Sequence, residues 1–261
     1  MTEFRPKLDV TAATNLGRVR SANEDAIVVG TWRGIGDDAS HAVTQDAFAN
    51  VLLAVADGIG GHRAGDVASR IVIDGLLANT GTLAVGDIDG ITGVIMAIDD
   101  DLKAKAASNG ELRGMGSTLA MAVISAEAIT VANVGDSRVY LSQGLADVRQ
   151  ISIDDIPVRP SGIDPREGPR VSVARRSSRL VTQALGGVSH RRTRLRPHVL
   201  SLNTSLPWSL LLCSDGLTDY VDEMALKKRI RLLDCRASDL IEMALDGGGA
   251  DNISVILARC S

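Results

Sequence analysis

The chain has 261 residues, 45% of them hydrophobic, enough to bury a sizeable core as one large domain or two small ones. Its formal charge is −4 and aromatic residues make up only 2%, so it has neither a basic footprint nor the stacking rings that a nucleic-acid partner calls for. No apolar run approaches the roughly 18 residues of a membrane helix, and "MTEFRPKLDV" at the start lacks the apolar centre of a signal peptide.

"DAIVVG" (25–30) and "VLLAVA" (51–56) read as strands, with a Gly/Asp-rich loop at 34–46 between them. From His62 to Leu77 the apolar residues recur with a helical period, and a second helix is expected from Ile88 to Ser108. Its core stripe is Ile91, Val94, Ile95, Ile98 and Leu102. The period then changes. "STLAMAVIS", "AITVANV" and "SRVYLSQGLADVRQIS" read as strands joined by short turns, with "SQG" as a hairpin tip. Connections this short make antiparallel pairs. "TLAMAVI" is apolar at nearly every position, which predicts a central strand covered on both faces.

Residues 152–180 carry four prolines, many charges and no clean period, and read as a functional flap. Strands resume at "LRPHVLSL" and "SLLLCSDG". Helices follow at about 222–233 and 237–246, and the chain closes on the strand "ISVILA". The fold class expected is α+β: two antiparallel sheets packed together with helices outside, in one domain over 1–261. Cys213, Cys235 and Cys260 lack metal-like spacing and read as free thiols of a reducing compartment, so a cytoplasmic location is expected.

One pattern recurs: an apolar strand running into an acid. Asp57-Gly58 follows "VLLAVA", Asp215-Gly216 follows "LLLCS", and Asp136 follows "ANVG". Asp251 stands just before "ISVILA", and Glu24-Asp25 stand at the start of "DAIVV". Each one alone reads equally as an ordinary turn, since Asp bonds its own backbone and glycine turns cheaply. If the strand ends converge, the carboxylates repel one another strongly, and cations relieve that repulsion. With no His/Cys ligand cluster, an all-oxygen set favours Mg²⁺ or Mn²⁺. Two such ions sharing a carboxylate activate water and clamp a phosphoryl group.

"GRVRSANEDA", "ADGIGGHRAGDVAS", "GMGSTLAMAV", "ANVGDSRVY", "VTQALGG", "CSDGLTDYV" and "GADNISVI" resemble, in order, the signature blocks of the metal-dependent protein phosphatases of the phosphatase 2C family, most closely its bacterial members. The resemblance covers nearly the whole chain. It implies a four-layer α-β-β-α sandwich and a serine/threonine protein phosphatase that uses a metal-activated water at a dinuclear Mn²⁺ or Mg²⁺ centre. By the same resemblance, Asp57 bridges the two ions and the Gly58 carbonyl binds the second. Asp215 and Asp251 are further ligands, and Glu24 and Asp25 hold metal-bound waters. Asp136 matches a ligand of a third, weaker ion, although an Asp in this turn also reads as a cap for backbone amides. Arg20 matches the phosphate-binding arginine, with Arg18 as its rival, and a guanidinium fork suits phosphate oxygens. His62 matches the general acid, with a pKa range suited to protonating a serine or threonine leaving oxygen. Ser117 and Thr118 read as packing and local hydrogen-bonding residues.

The implied partners are phosphorylated proteins, the targets of a Ser/Thr kinase and that kinase itself, for a monomer with no nucleic-acid or membrane partner. The match weakens at "ISIDDIP", where Asp155 stands in place of the family's usual His, and through the flap that follows. Nine arginines and one acid between Arg166 and Arg196 read either as a solvated face or as a docking surface for acidic partners. Two other functions compete: a catalytically silent phosphatase-fold module that binds a phosphorylated partner, and the same catalyst acting on a small phosphate ester or an aspartyl phosphate.

Overall fold

The structure is a computed structural model describing residues 6–46, 48–60, 64–144, 146–157, 181–187 and 194–261. In chain order its elements are β1 (Lys7–Asn15), β2 (Asp25–Val29), β3 (Trp32–Ile35), β4 (Asp38–Asp46), β5 (Val51–Ile59), α1 (Ala64–Ala78), α2 (Ile88–Ser108), β6 (Gly116–Ser117), β7 (Leu119–Ile124), β8 (Ala128–Val134), β9 (Arg138–Gln143), β10 (Arg149–Gln150), β11 (His198–Asn203), β12 (Trp208–Cys213), α3 (Asp215–Thr218), α4 (Glu223–Ile230), α5 (Ala237–Asp246) and β13 (Ile253–Cys260).

The strands form two sheets. One has the order β10-β9-β12-β13-β1-β4, and the other β11-β8-β7-β5-β2-β3 with β6 paired to β5. Every pairing is antiparallel. Side chains alternate between faces along a strand, and here both faces find a partner. On β7, Leu119, Met121 and Val123 meet α1 and α2, while Ala120, Ala122 and Ile124 meet the other sheet. On β13, Ile256 and Ala258 face the space between the sheets, while Val255 and Leu257 meet α4 and α5. Three apolar cores therefore separate four layers, α-β-β-α, as expected.

Helix α2 runs over the expected residues with its stripe buried, and Asp87 caps it by accepting from the Gly90 N–H at 2.8 Å. Asp222 caps α4 by accepting from the N–H groups of Met224 and Ala225, both at 3.0 Å. This helix ends at Ile230, short of the expected 233. The three cysteines are free and buried. No described helix is long and apolar enough to cross a membrane.

Two expectations are corrected. The "loop" at 34–46 is the end of β3 and the whole of β4, an edge strand paired with β1 from Asn15↔Asp38 to Lys7↔Asp46. Its alternating positions are exposed, so small and polar residues suffice there. The two Asp-Gly pairs are not turns either. β5 continues through Asp57 and Gly58 to Ile59, where β6 pairs with it, and Asp215 opens α3. Of the flap, residues 158–180 lie outside the described residues.

Candidate functional site

The antiparallel register sets the site. Asp25 at the start of β2 lies directly across from Asp57 near the end of β5. In the facing sheet, Cys213 of β12 pairs with Arg138 of β9 and Val255 of β13, so these three share one row. Asp136, Asp215 and Asp251 stand just beyond that row on their respective chains. The strand-end acids of both sheets thus gather at one end of the sandwich. Asp25 and Asp136 are buried, while Glu24, Asp57, Asp215 and Asp251 keep some surface in water.

The electrostatics agree. Asp57 is pushed well above the ordinary carboxylate range, first by burial and then by the charges of Asp25, Asp215, Asp251 and Asp136. Asp215 is raised likewise by burial, followed by Asp136, Asp251, Asp219 and Asp25. Asp25 is pushed up to about 7 by burial, against the opposing hydrogen bonds of Ser254 and Ser214, with Asp251 and Glu24 adding repulsion. Its Oδ2 accepts from the Ser214 hydroxyl at 2.9 Å, but Oδ1 is buried with no hydrogen-bond partner among the described residues. Among those residues no three acids, histidines or cysteines already surround a single point as a finished cage. An all-oxygen donor set with an orphaned buried carboxylate oxygen fits hard divalent cations such as Mg²⁺ or Mn²⁺.

Arg20 lies inside this cluster. Its Nε and Nη2 donate to the two carboxylate oxygens of Asp251 at 2.7 and 2.9 Å, a forked pair. The bond to Asp251 is the first cause of its raised pKa, and the charges of Glu24 and Asp57 add to it. Arg18, the rival, instead donates to the Leu245 carbonyl at 3.0 Å, at the end of α5. His62 lies outside the described residues, so the structure does not bear on it.

Close backbone approach explains two glycines. A Cβ on Gly58 would overlap the Gly65 carbonyl of α1 and come within 2.6 Å of the Glu24 carbonyl oxygen. A Cβ on Gly216 would overlap the Asn252 carbonyl. The first contact brings α1 and Glu24 against β5. The second locks the start of α3 at Asp215 onto the segment carrying Asp251.

Several positioning residues escaped the sequence reading. Asn252 accepts from the Glu24 N–H at 2.9 Å and donates to the carbonyls of Leu16 and Ala22 at 2.8 and 3.1 Å, tying three site segments together. A hydroxyl chain runs from Asn23, which donates to Thr14 at 2.8 Å, to the Thr14–Ser254 pair at 2.7 Å. From there the Ser254 N–H donates to the Ser214 hydroxyl at 3.0 Å, and Ser214 reaches Asp25. The available signal was the polar Ser and Asn placed within otherwise apolar runs, "CSDG" and "DNISV". Thr118 makes the local hydrogen bonds expected of it. Its Oγ1 accepts from the Asp57 N–H at 3.1 Å and its N–H donates to the Asp57 carbonyl at 2.8 Å.

The raised carboxylates dictate a pH response. Between the unfolded carboxylate value, about 4, and about 7 for Asp25, the cation-free folded state binds more protons than the unfolded state. Stability must then fall as pH rises through that interval. Thermal unfolding in EDTA should show this fall, and Asp25→Asn should reduce it. A midpoint that stays flat or rises over the same interval in wild type would contradict the clustered charges.

Residues 34–158 match the family Protein phosphatase 2C. The serine/threonine phosphatase stp of Listeria monocytogenes is 33% identical over 261 residues, covering 94% of this chain and 93% of that protein. The serine/threonine protein phosphatase PstP of Mycobacterium tuberculosis is 30% identical over 254 residues, covering 96% of this chain. The chain spans only 45%, about half, of the length of PstP. The crystal structure of the PstP catalytic domain in complex with two manganese ions superposes with a TM-score of 0.74 at 28% identity, covering 98% of this chain and 99% of that one. Stp1 of Staphylococcus aureus gives 0.74 at 28% identity, over 96% and 94% of the two chains. Similarity over nearly the full length of both stp and this chain, together with the shared four-layer fold, establishes that the chain belongs to the protein phosphatase 2C family.

Proposed function

We infer that the chain is a metal-dependent serine/threonine protein phosphatase that hydrolyses phosphoserine and phosphothreonine in proteins, as a single catalytic domain. The observation carrying this reading is the gathering of Asp25, Asp57, Asp136, Asp215 and Asp251 into one mutually repelling group at the sandwich end. The names of the relatives, and the two manganese ions bound by the PstP catalytic domain, support it.

Asp57, the Gly58 carbonyl, Asp215 and Asp251 would hold two Mn²⁺ or Mg²⁺ ions. Glu24 and Asp25 would hold waters beside those ions, and Asp136 would hold a third, weaker one. When bound, the cations lower the pKa of water and neutralise phosphoryl oxygens. Arg20 is held beside these acids by Asp251. Its fork would carry the charge of the phosphoryl oxygens. His62 donates the proton to the leaving serine or threonine oxygen. Ser214, Ser254 and Asn252 keep the acids oriented. The substrates are targets of a Ser/Thr kinase, the kinase among them, and the protein acts as a cytoplasmic monomer.

The test is phosphate release from a phosphothreonine peptide in EDTA, Mg²⁺ or Mn²⁺, for wild type and Asp215→Asn. Release that requires a divalent cation and vanishes in the variant is the expected result. A folded protein that binds the peptide but releases nothing with any cation would point to a silent binding module.

A further inference from the structure

Asp155, which the sequence resemblance sets in place of the family's usual His, lies beside the turn that carries Asp136. Asp155 is buried, and it grips Gly135 on both sides. Its Oδ2 accepts from the Gly135 N–H at 2.9 Å, and its own N–H donates to the Gly135 carbonyl at 2.9 Å. The preceding residue, Asp154, accepts from Arg138 Nε and Nη2 at 2.9 and 2.7 Å. Two consecutive acids thus hold the two ends of the turn that carries Asp136.

The other carboxylate oxygen of Asp155 faces away from that turn. Its Oδ1 accepts from Gln183 Nε2 at 2.8 Å and lies 2.9 Å from His198 Nε2. An ionised carboxylate only accepts, so Nε2 carries the proton in this pair. The Thr182 N–H donates to the Asp155 carbonyl at 2.7 Å. Residues 181–187 then form a strap. Leu185 exchanges backbone hydrogen bonds with Ser117 at 2.9 and 3.0 Å, and the Ser117 hydroxyl donates to the Asp57 carbonyl at 3.1 Å. Further along, the Gly186 N–H donates to the buried Asp99 at 2.9 Å.

We propose that Asp155 is a positioning residue for this site: with Asp154 it clamps the Asp136 turn, through Gln183 it ties that turn to the strap that leans on Asp57, and through His198 it ties it to β11. Three donors converge on one buried carboxylate, so its removal strands the Gly135 N–H and the Gln183 amide and frees the turn. The inference rests on the reading of the acid cluster as a cation site. Partners of this kind, which touch a ligand's turn rather than the ion, cost about 10–100-fold in metal affinity when lost.

The test measures Mn²⁺ binding by titration calorimetry and phosphopeptide turnover by phosphate release. The variants are Asp155→Ala, Asp155→Asn, Asp136→Asn and the double variant Asp155→Ala/Asp136→Asn. Asp155→Ala should weaken the weakest Mn²⁺ step by about 10–100-fold. Asp155→Asn, which keeps an acceptor for Gly135, should recover part of it. The double variant should be no worse than Asp136→Asn alone, because both act through one group. Losses that add in the double variant, or Mn²⁺ binding unchanged in Asp155→Ala while its unfolding midpoint drops, would overturn the proposal. If Asp155→Ala does not fold, Asp155→Asn is judged by the same measurement, with a smaller loss expected and no loss overturning the proposal. Wild type that binds Mn²⁺, with Asp155→Ala weakened as expected, but that releases no phosphate would overturn the phosphatase reading and leave the clamp standing. Wild type that binds no Mn²⁺ would overturn the clamp's role.

Discussion

Asp57→Asn should reduce phosphate release by about 10³-fold or more, the scale of losing one group that stabilises transition-state charge, while the protein stays folded. The backbone at Asp57 is held without its carboxylate: β5 pairs with β2 at this residue, and Thr118 bonds both its N–H and its carbonyl. The side chain, by contrast, faces Asp25 across the strands and feels Asp215, Asp251 and Asp136. An amide there removes one of the repelling charges. In EDTA the unfolding midpoint of the variant should therefore lie above that of wild type. Added Mn²⁺ should raise the wild-type midpoint by mass action and the variant's much less. The order of the two proteins inverts between the conditions, which loss of packing cannot produce. A variant that is less stable than wild type in EDTA would make Asp57 a structural acid.

Gly216→Ala should damage both stability and turnover. The new methyl would collide with the Asn252 carbonyl, and it would also lie 2.9 Å from the carbonyl carbon of that residue. Backbone cannot yield as a side chain does, so the start of α3 and the segment carrying Asp251 must move apart. Overpacking of this kind costs about 1–3 kcal/mol. A displacement of about 1 Å between groups that act together costs about 10²-fold in rate. Gly93, exposed on α2 with nothing near its missing Cβ, is the control. Gly93→Ala should gain up to about 1 kcal/mol from helix propensity with no change in turnover. Thermal melts and phosphate release for the pair decide the matter. Gly216→Ala with wild-type turnover would mean that the two loops are not coupled through this contact.

The contrast between these glycines shows where sequence reading stops. "MGSTLAMAVI" and the stripe of α2 were legible because burial on both faces, or on one helical face, writes a period into the residues. Both elements stand where that period puts them. β4 was not legible. It is an edge strand with alternate positions in water, so nothing forces apolar residues into "DASHAVTQD", and glycine and aspartate beside it look like a loop. Asp57-Gly58 and Asp215-Gly216 carry the composition of turns, but one lies in a strand and the other opens a helix. Local preference is weak there, and pairing with Ser117 and contact with Asn252 override it.

The amino-acid order by itself determined which acids stand at the ends of apolar strands, because a strand needs an apolar run and the charge marks where the run ends. It could not say that they meet. Asp25 and Asp57 face each other only because β2 and β5 are antiparallel in one register, and Asp215 and Asp251 join them only because a second sheet packs against the first. The raised pKa of Asp57, the fork of Arg20 on Asp251 and the clamp of Asp155 on Gly135 come from contacts between residues far apart in the chain. Such contacts leave no period and no composition in any one segment. They exist only when the layers close, and in this protein that closure turns scattered acids into a site.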